Sequence, residues 1–97
     1  MILNNQQKKF LKSLGHELRA VVMVGKDGVN PALILNLKQA LNAHELVKVS
    51  MLNTSPITVN EAAIELASET KSEVVSKVGR VIVLYKQSEK KLIQLPK

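Results

Sequence analysis

Lys26 and Asp27 stand between two glycines in the stretch Val24-Gly25-Lys26-Asp27-Gly28-Val29-Asn30-Pro31. Glycine accepts positive φ and lets another backbone come close, and the lysine adds a mobile positive charge. Pro31 suits the first position of a helix, with Asn30 as its N-cap. The loop therefore opens on a helix N-terminus, with its free N–H groups and positive dipole end. These parts make a cradle for a phosphate. They are also the composition of a tight turn without a ligand, and a lone G-x-x-G counts only in context. Asp27 is wrong for an anion site and reads as a turn residue that bonds nearby backbone. The cations that could share phosphate chemistry with Lys26 are Lys8, Lys9, Lys12, Arg19 and Arg80.

Charge supports a polyanionic partner. The net charge is +6, and it is unevenly spread. Residues 1–30 carry +3, residues 31–70 carry −2 and residues 71–97 carry +5. Basic ends around an acidic middle suit one basic surface, as nucleic acid requires, or less specifically a membrane or an acidic protein.

Other chemistry is poorly supplied. The chain has no cysteine, so disulfides and thiolate metal sites are excluded. His16 and His44 have no metal-ligand spacing and no nucleophile partner nearby. The pattern G-x-x-x-x-G-K-[ST] is absent. No catalytic residue, metal, cofactor or small-molecule substrate is expected. The aromatics are one Phe and one Tyr, Phe10 and Tyr85. A sheet that stacks bases on aromatic side chains is therefore excluded. Phe10 is expected in the core and Tyr85 in cross-strand packing. Recognition should then run through nucleic-acid backbone and shape. Two other readings stand beside an RNA binder: a DNA-binding architectural protein and a protein-interaction module with incidental charge. Salt dependence and a comparison of RNA with DNA separate them.

The elements that must position these residues follow from periodicity. Ninety-seven residues make a single domain, 1–97. No signal-peptide pattern and no membrane-length apolar run occurs, so a cytoplasmic protein is expected. Residues 5–15 read as a helix with Phe10, Leu11 and Leu14 on one stripe. Ala20–Val24 reads as a buried strand. A second helix spans Pro31 to Ala43, and a second strand Leu46 to Met51. Thr58 and Glu61 have capping-box spacing before a third helix that ends near Thr70. Strands at Glu73–Val78 and Val81–Lys86 flank Gly79-Arg80, a II′ hairpin signal. The tail holds Leu92-Ile93-Gln94-Leu95, expected extended on the domain. The order α-β-α-β-α-β-β is an α/β (α+β) two-layer sandwich.

Strand–helix–strand units place their strands parallel. The C-terminal ends of the first three strands should therefore share one edge, with the Gly25–Gly28 loop and the Gly79-Arg80 turn on it. A first helix running back against the first strand would bring Lys8 and Lys9 to Lys26 and Arg80, with Lys12 and Arg19 extending the patch. Glu61, Glu65 and Glu69 form an acidic stripe that should face away from any nucleic acid. Glu45 and Lys48 are expected as a surface pair of small value.

The chain resembles the CRM domain (chloroplast RNA splicing and ribosome maturation) in its stand-alone bacterial, YhbY-like form. Four parts in order carry the resemblance: Gln7-Lys8-Lys9-Phe10-Leu11, Val24-Gly25-Lys26-Asp27-Gly28-Val29, His44-Glu45-Leu46-Val47-Lys48-Val49, and Val78-Gly79-Arg80 leading to Val83-Leu84-Tyr85-Lys86. The resemblance implies a four-stranded mixed sheet like that of the C-terminal domain of translation initiation factor 3. It implies RNA binding through Gly25, Lys26, Asp27 and Gly28 with neighbouring basic residues. It also implies association with rRNA in precursors of the large ribosomal subunit; apart from the resemblance, a monomer is expected. Lys71 departs from the pattern, since relatives commonly carry glycine after the third helix, and the helix stop there is expected to be looser.

Overall fold

The computed structural model describes residues 3–96. Seven elements follow one another: α1 (Asn5–Gly15), β1 (Ala20–Val24), α2 (Pro31–His44), β2 (Leu46–Met51), α3 (Val59–Thr70), β3 (Glu73–Val78) and β4 (Val81–Tyr85). Each helix starts where a polar side chain takes over an orphan amide. Asn4 and Gln7 form a reciprocal capping box on α1, and Thr58 and Glu61 form one on α3. Asn30 accepts from the Leu33 amide at 2.9 Å, with Pro31 opening α2.

The sheet has the order β1-β2-β4-β3. β1 pairs parallel with β2, and β4 runs antiparallel to both β2 and β3. β1, β2 and β3 therefore point the same way, as the crossover rule requires. Val78 pairs with Val81 across the hairpin, and Gly79 takes a φ of 58°. Only the first turn residue has positive φ, which is the II′ pattern.

Alternation along the strands builds two cores. Val22, Val24, Val47, Val49, Ile82 and Leu84 face α2 and α3, where Leu37, Leu41 and Leu66 are buried. This is the two-layer sandwich. The opposite faces of β2, β3 and β4 supply Leu46, Val75, Val83 and Tyr85, and α1 covers them with Leu11. Ile93 and Leu95 of the tail join that second cluster, as expected of them. Leu11 and Gly15 occupy the buried stripe of α1, so Phe10 falls beside it and is 36% exposed rather than in the core. Tyr85 is fully buried between its cross-strand partners Leu46 and Glu73, a packing role.

Candidate nucleic-acid interface

Gly25-Lys26-Asp27-Gly28 is a closed turn. The Gly28 amide donates to the Gly25 carbonyl at 3.0 Å, and Gly28 takes a φ of 65°. A Cβ on Gly28 would stand 3.4 Å from Pro56, and one on Gly25 would stand 3.4 Å from Leu52. The loop after β2 is thus the floor of the turn. Two backbone bonds fix the neighbouring chains: the Leu52 amide donates to Val24 and the Met51 amide to Arg80, each at 2.8 Å. The turn, the loop after β2 and the β3–β4 hairpin consequently meet at one edge of the sheet. Lys26, Asp27 and Arg80 are exposed there. Arg80 also borders a hollow of about 230 Å³ with Asn53, Ser55 and Thr58.

Arg80 joins Lys26 as the strand directions demanded. The expectation for α1 is corrected. Gly15 rests on Val83, and His16 lies with Val78 and Val81 near the hairpin edge, while Leu11 packs with Leu46 and Tyr85 at the far edge. Gln7 reaches the tail, donating to the Pro96 carbonyl at 3.1 Å. α1 therefore approaches from the far edge and runs in the direction of β1 rather than against it, over β2, β3 and β4. Lys8 and Lys9 lie at the end away from Gly25. Lys12 is one turn nearer, followed by His16. Arg19 precedes Ala20, which pairs with Lys48 rather than with the Met51 end of β2, so it too stands away from the loop. The cause is the second core: Leu11 must cover Leu46 and Tyr85, which fixes the helix direction.

The loop chemistry is also sharpened. The Gly28 amide is spent inside the turn and cannot also hold a phosphate. The groups this turn presents outward are the Lys26 and Asp27 positions, and the glycines serve its shape. Glu61, Glu65 and Glu69 are exposed on α3, across the sheet from α1. Two readings near β2 change. Glu45 is buried, and it accepts from the Ser88 amide and hydroxyl, the Leu92 amide at 3.0 Å and the Ile93 amide at 2.8 Å. Lys48 instead extends its ammonium to the Gly15 and Leu18 carbonyls at 3.4 and 3.3 Å, where the C-terminal end of α1 favours a cation.

Missing from the expected site was the loop 52–58, which supplies the floor and the Arg80 hollow. The signal was available: loops following the C-terminal ends of neighbouring parallel strands share an edge. Among the described residues there is no group of three His, Cys, Asp or Glu able to hold a metal, and no helix long and apolar enough to cross a membrane.

Comparison with known proteins gives the family. The family model of the CRS1 / YhbY (CRM) domain matches residues 3–86. "Probable RNA-binding protein YqeI" of Bacillus subtilis is 43% identical over 98% of this chain and 100% of its own length. A Haemophilus influenzae protein named "RNA-binding protein" is 39% identical over 98% of this chain and 96% of its own. The solution structure of a hypothetical protein of Staphylococcus aureus superposes with a TM-score of 0.82 at 36% identity, covering 98% of this chain and 100% of that one. RNA binding appears in the names of all three, and none is named as an enzyme. The chain belongs to the CRS1 / YhbY (CRM) domain family.

Proposed function

We propose that this protein binds RNA, with the Gly25–Gly28 turn and Arg80 holding the phosphate backbone at one edge of the sheet. One observation carries the reading. Lys26 and Arg80 come from loops 50 residues apart in sequence, yet both are exposed where the Leu52–Val24 and Met51–Arg80 bonds lock those loops together. Two cations on a rigid edge position a strand by charge and counterion release, without choosing a sequence. The names of the relatives supply RNA as the polyanion. Lys12 and His16 lead away from the hairpin along α1, and they extend the path towards Lys8 and Lys9. The resemblance set out above extends the proposal to rRNA in precursors of the large ribosomal subunit, with the protein acting there as a cytoplasmic monomer.

Parallel titrations of structured RNA and duplex DNA across a salt series test the binding mode. Tighter binding of RNA, with a steep salt slope, is expected. Equal affinity for both would favour the DNA-binding architectural reading, and a flat slope the protein-interaction module. Crosslinking in cells, followed by sequencing of the bound RNA, tests the assembly role. rRNA of the large subunit should be enriched, and a Gly25→Val/Gly28→Val variant should lose it.

A further inference from the structure

β1 is an edge strand of the sheet. Among the described residues no strand lies on its outer side. Its sequence, Ala20-Val21-Val22-Met23-Val24, carries no charge and no proline. Val21 and Met23 point away from the α2/α3 core and are 60% and 59% exposed. The other edge strand differs: β3 carries Glu73 and Lys77 and has a register shift at Val75. Those are devices by which proteins blunt an open edge. β1 has a register irregularity at Val21, and Val22–Val24 pairs regularly with Val49–Met51.

The free edge is oriented for pairing. Val24 gives its carbonyl to the Leu52 amide. Alternation along a strand then turns the N–H and C=O of Met23 outward, to the open side. Beside Val21 lies a groove of about 520 Å³ with apolar walls from Leu14, Leu18, Leu46 and Ile93. Glu17, Arg19, His44 and Lys48 supply its polar lining. Strand addition needs these two features: main-chain groups for affinity and a pocket for alternate side chains.

We propose that the β1 edge binds an extended peptide segment of a partner protein, apolar at alternate positions and acidic at its ends. Arg19 at the start of β1 and Lys26 just past its end set the charge requirement. A second copy of this chain is disfavoured by the same groups. Two-fold pairing of β1 with itself is antiparallel and sets Arg19 of one copy against the Gly25-Lys26 end of the other. Each copy also carries a net charge of +6.

The probe is a fluorescein-labelled peptide of alternating valine and threonine with two aspartates at each end. Fluorescence anisotropy should show saturable binding. Amide hydrogen exchange should slow at Met23 on saturation by about tenfold or more, as for any newly bonded amide. Met23→Pro removes the outward N–H while leaving the amides bonded to β2 in place, and it should weaken the peptide by about tenfold or more. Arg19→Glu should weaken it through charge, and it covers the case in which the proline disturbs β1. RNA affinity measured on Met23→Pro should stay at the wild-type value, because Met23 is outside the Lys26–Arg80 edge. Four results overturn the proposal: no saturable binding, protection confined to other strands, full affinity in both variants, or protection of Met23 by self-association in sedimentation without peptide.

Discussion

The carboxylate of Glu45 accepts from both the amide and the hydroxyl of Ser88, and so fastens the segment after β4 to the residue between α2 and β2. Glu45 holds a φ of 66°, a conformation a non-glycine residue keeps only where its surroundings demand it. Here the demand comes from the amides of Ser88, Leu92 and Ile93, all turned towards one carboxylate.

Glu45→Ala strands those amides without an acceptor, and the domain should lose about 3 kcal/mol. The segment after β4 should open before the sheet does. Trypsin should then cut after Lys90 and Lys91 in the variant under conditions where the wild type resists. A variant that keeps both its urea midpoint and its resistance would show that the tail is held by Ile93 and Leu95 alone.

Acid should have a related effect. Burial pushes the Glu45 carboxyl up, but the bonds from Ser88, Ile93 and Leu92 outweigh it and hold the group below its ordinary value of 4.5. A lowered folded-state pKa gives stability that is present above the unfolded value and is lost as pH falls through the folded one. The urea midpoint should therefore drop as pH is taken below about 4.5, and Glu45→Gln should flatten that dependence.

Tyr85 is the converse case. Its hydroxyl is buried with no hydrogen-bond partner. Burial and the Glu45 charge push the phenol above 10.0, and the opposing Gln87 side chain does not reach hydrogen-bond geometry. Stability should fall as pH rises past about 10.0. Tyr85→Phe removes an unsatisfied polar atom, so its stability should equal the wild type or exceed it by up to about 1 kcal/mol. A loss larger than that, by chemical denaturation, would reveal a bond to the hydroxyl.

Lys71 ends α3 at a φ of 56° and ψ of 42°, and its amide donates to the Ala67 carbonyl. The helix stop is therefore not loosened by the departure from glycine, because the lysine adopts the left-handed conformation. That conformation costs a side-chain-bearing residue about 1–2 kcal/mol, so Lys71→Gly should raise stability by about 1 kcal/mol. An unchanged or lower melting temperature would contradict this.

At the RNA edge, Lys26→Ala and Arg80→Ala should each lower affinity and reduce the salt slope by about one. Lys8→Ala/Lys9→Ala should have the smaller effect, since both lie at the far end of α1. Gly28→Val meets Pro56 and a φ of 65°, so it should disturb the turn and weaken RNA while circular dichroism stays unchanged.

Much of this was legible in the sequence because local chemistry decides it. Caps at Asn30 and Thr58, the glycine of the II′ turn and the parallel crossovers act within a few residues, and they place Arg80 beside Lys26. The layer and direction of α1 were not legible. Leu11 and Leu14 show that the helix has an apolar face, but Val81–Tyr85 is apolar on both faces of the sheet and leaves the choice open. Glu45 was misread for a related reason. Its partners lie 43 to 48 residues downstream, beyond anything spacing on a helix or strand can signal.

The order β1-β2-β4-β3 has a consequence for how the chain is made. β4 is the last of the described strands to be synthesised, and it is the strand that joins β2 to β3. Until Val81–Tyr85 emerges, β3 has no neighbour, and β1 with β2 is a two-stranded ribbon of marginal stability. The Met51–Arg80 bond that draws Lys26 and Arg80 to one edge cannot form before then. A nascent chain released early therefore lacks the assembled edge, and only a chain read through Tyr85 presents its two cations together.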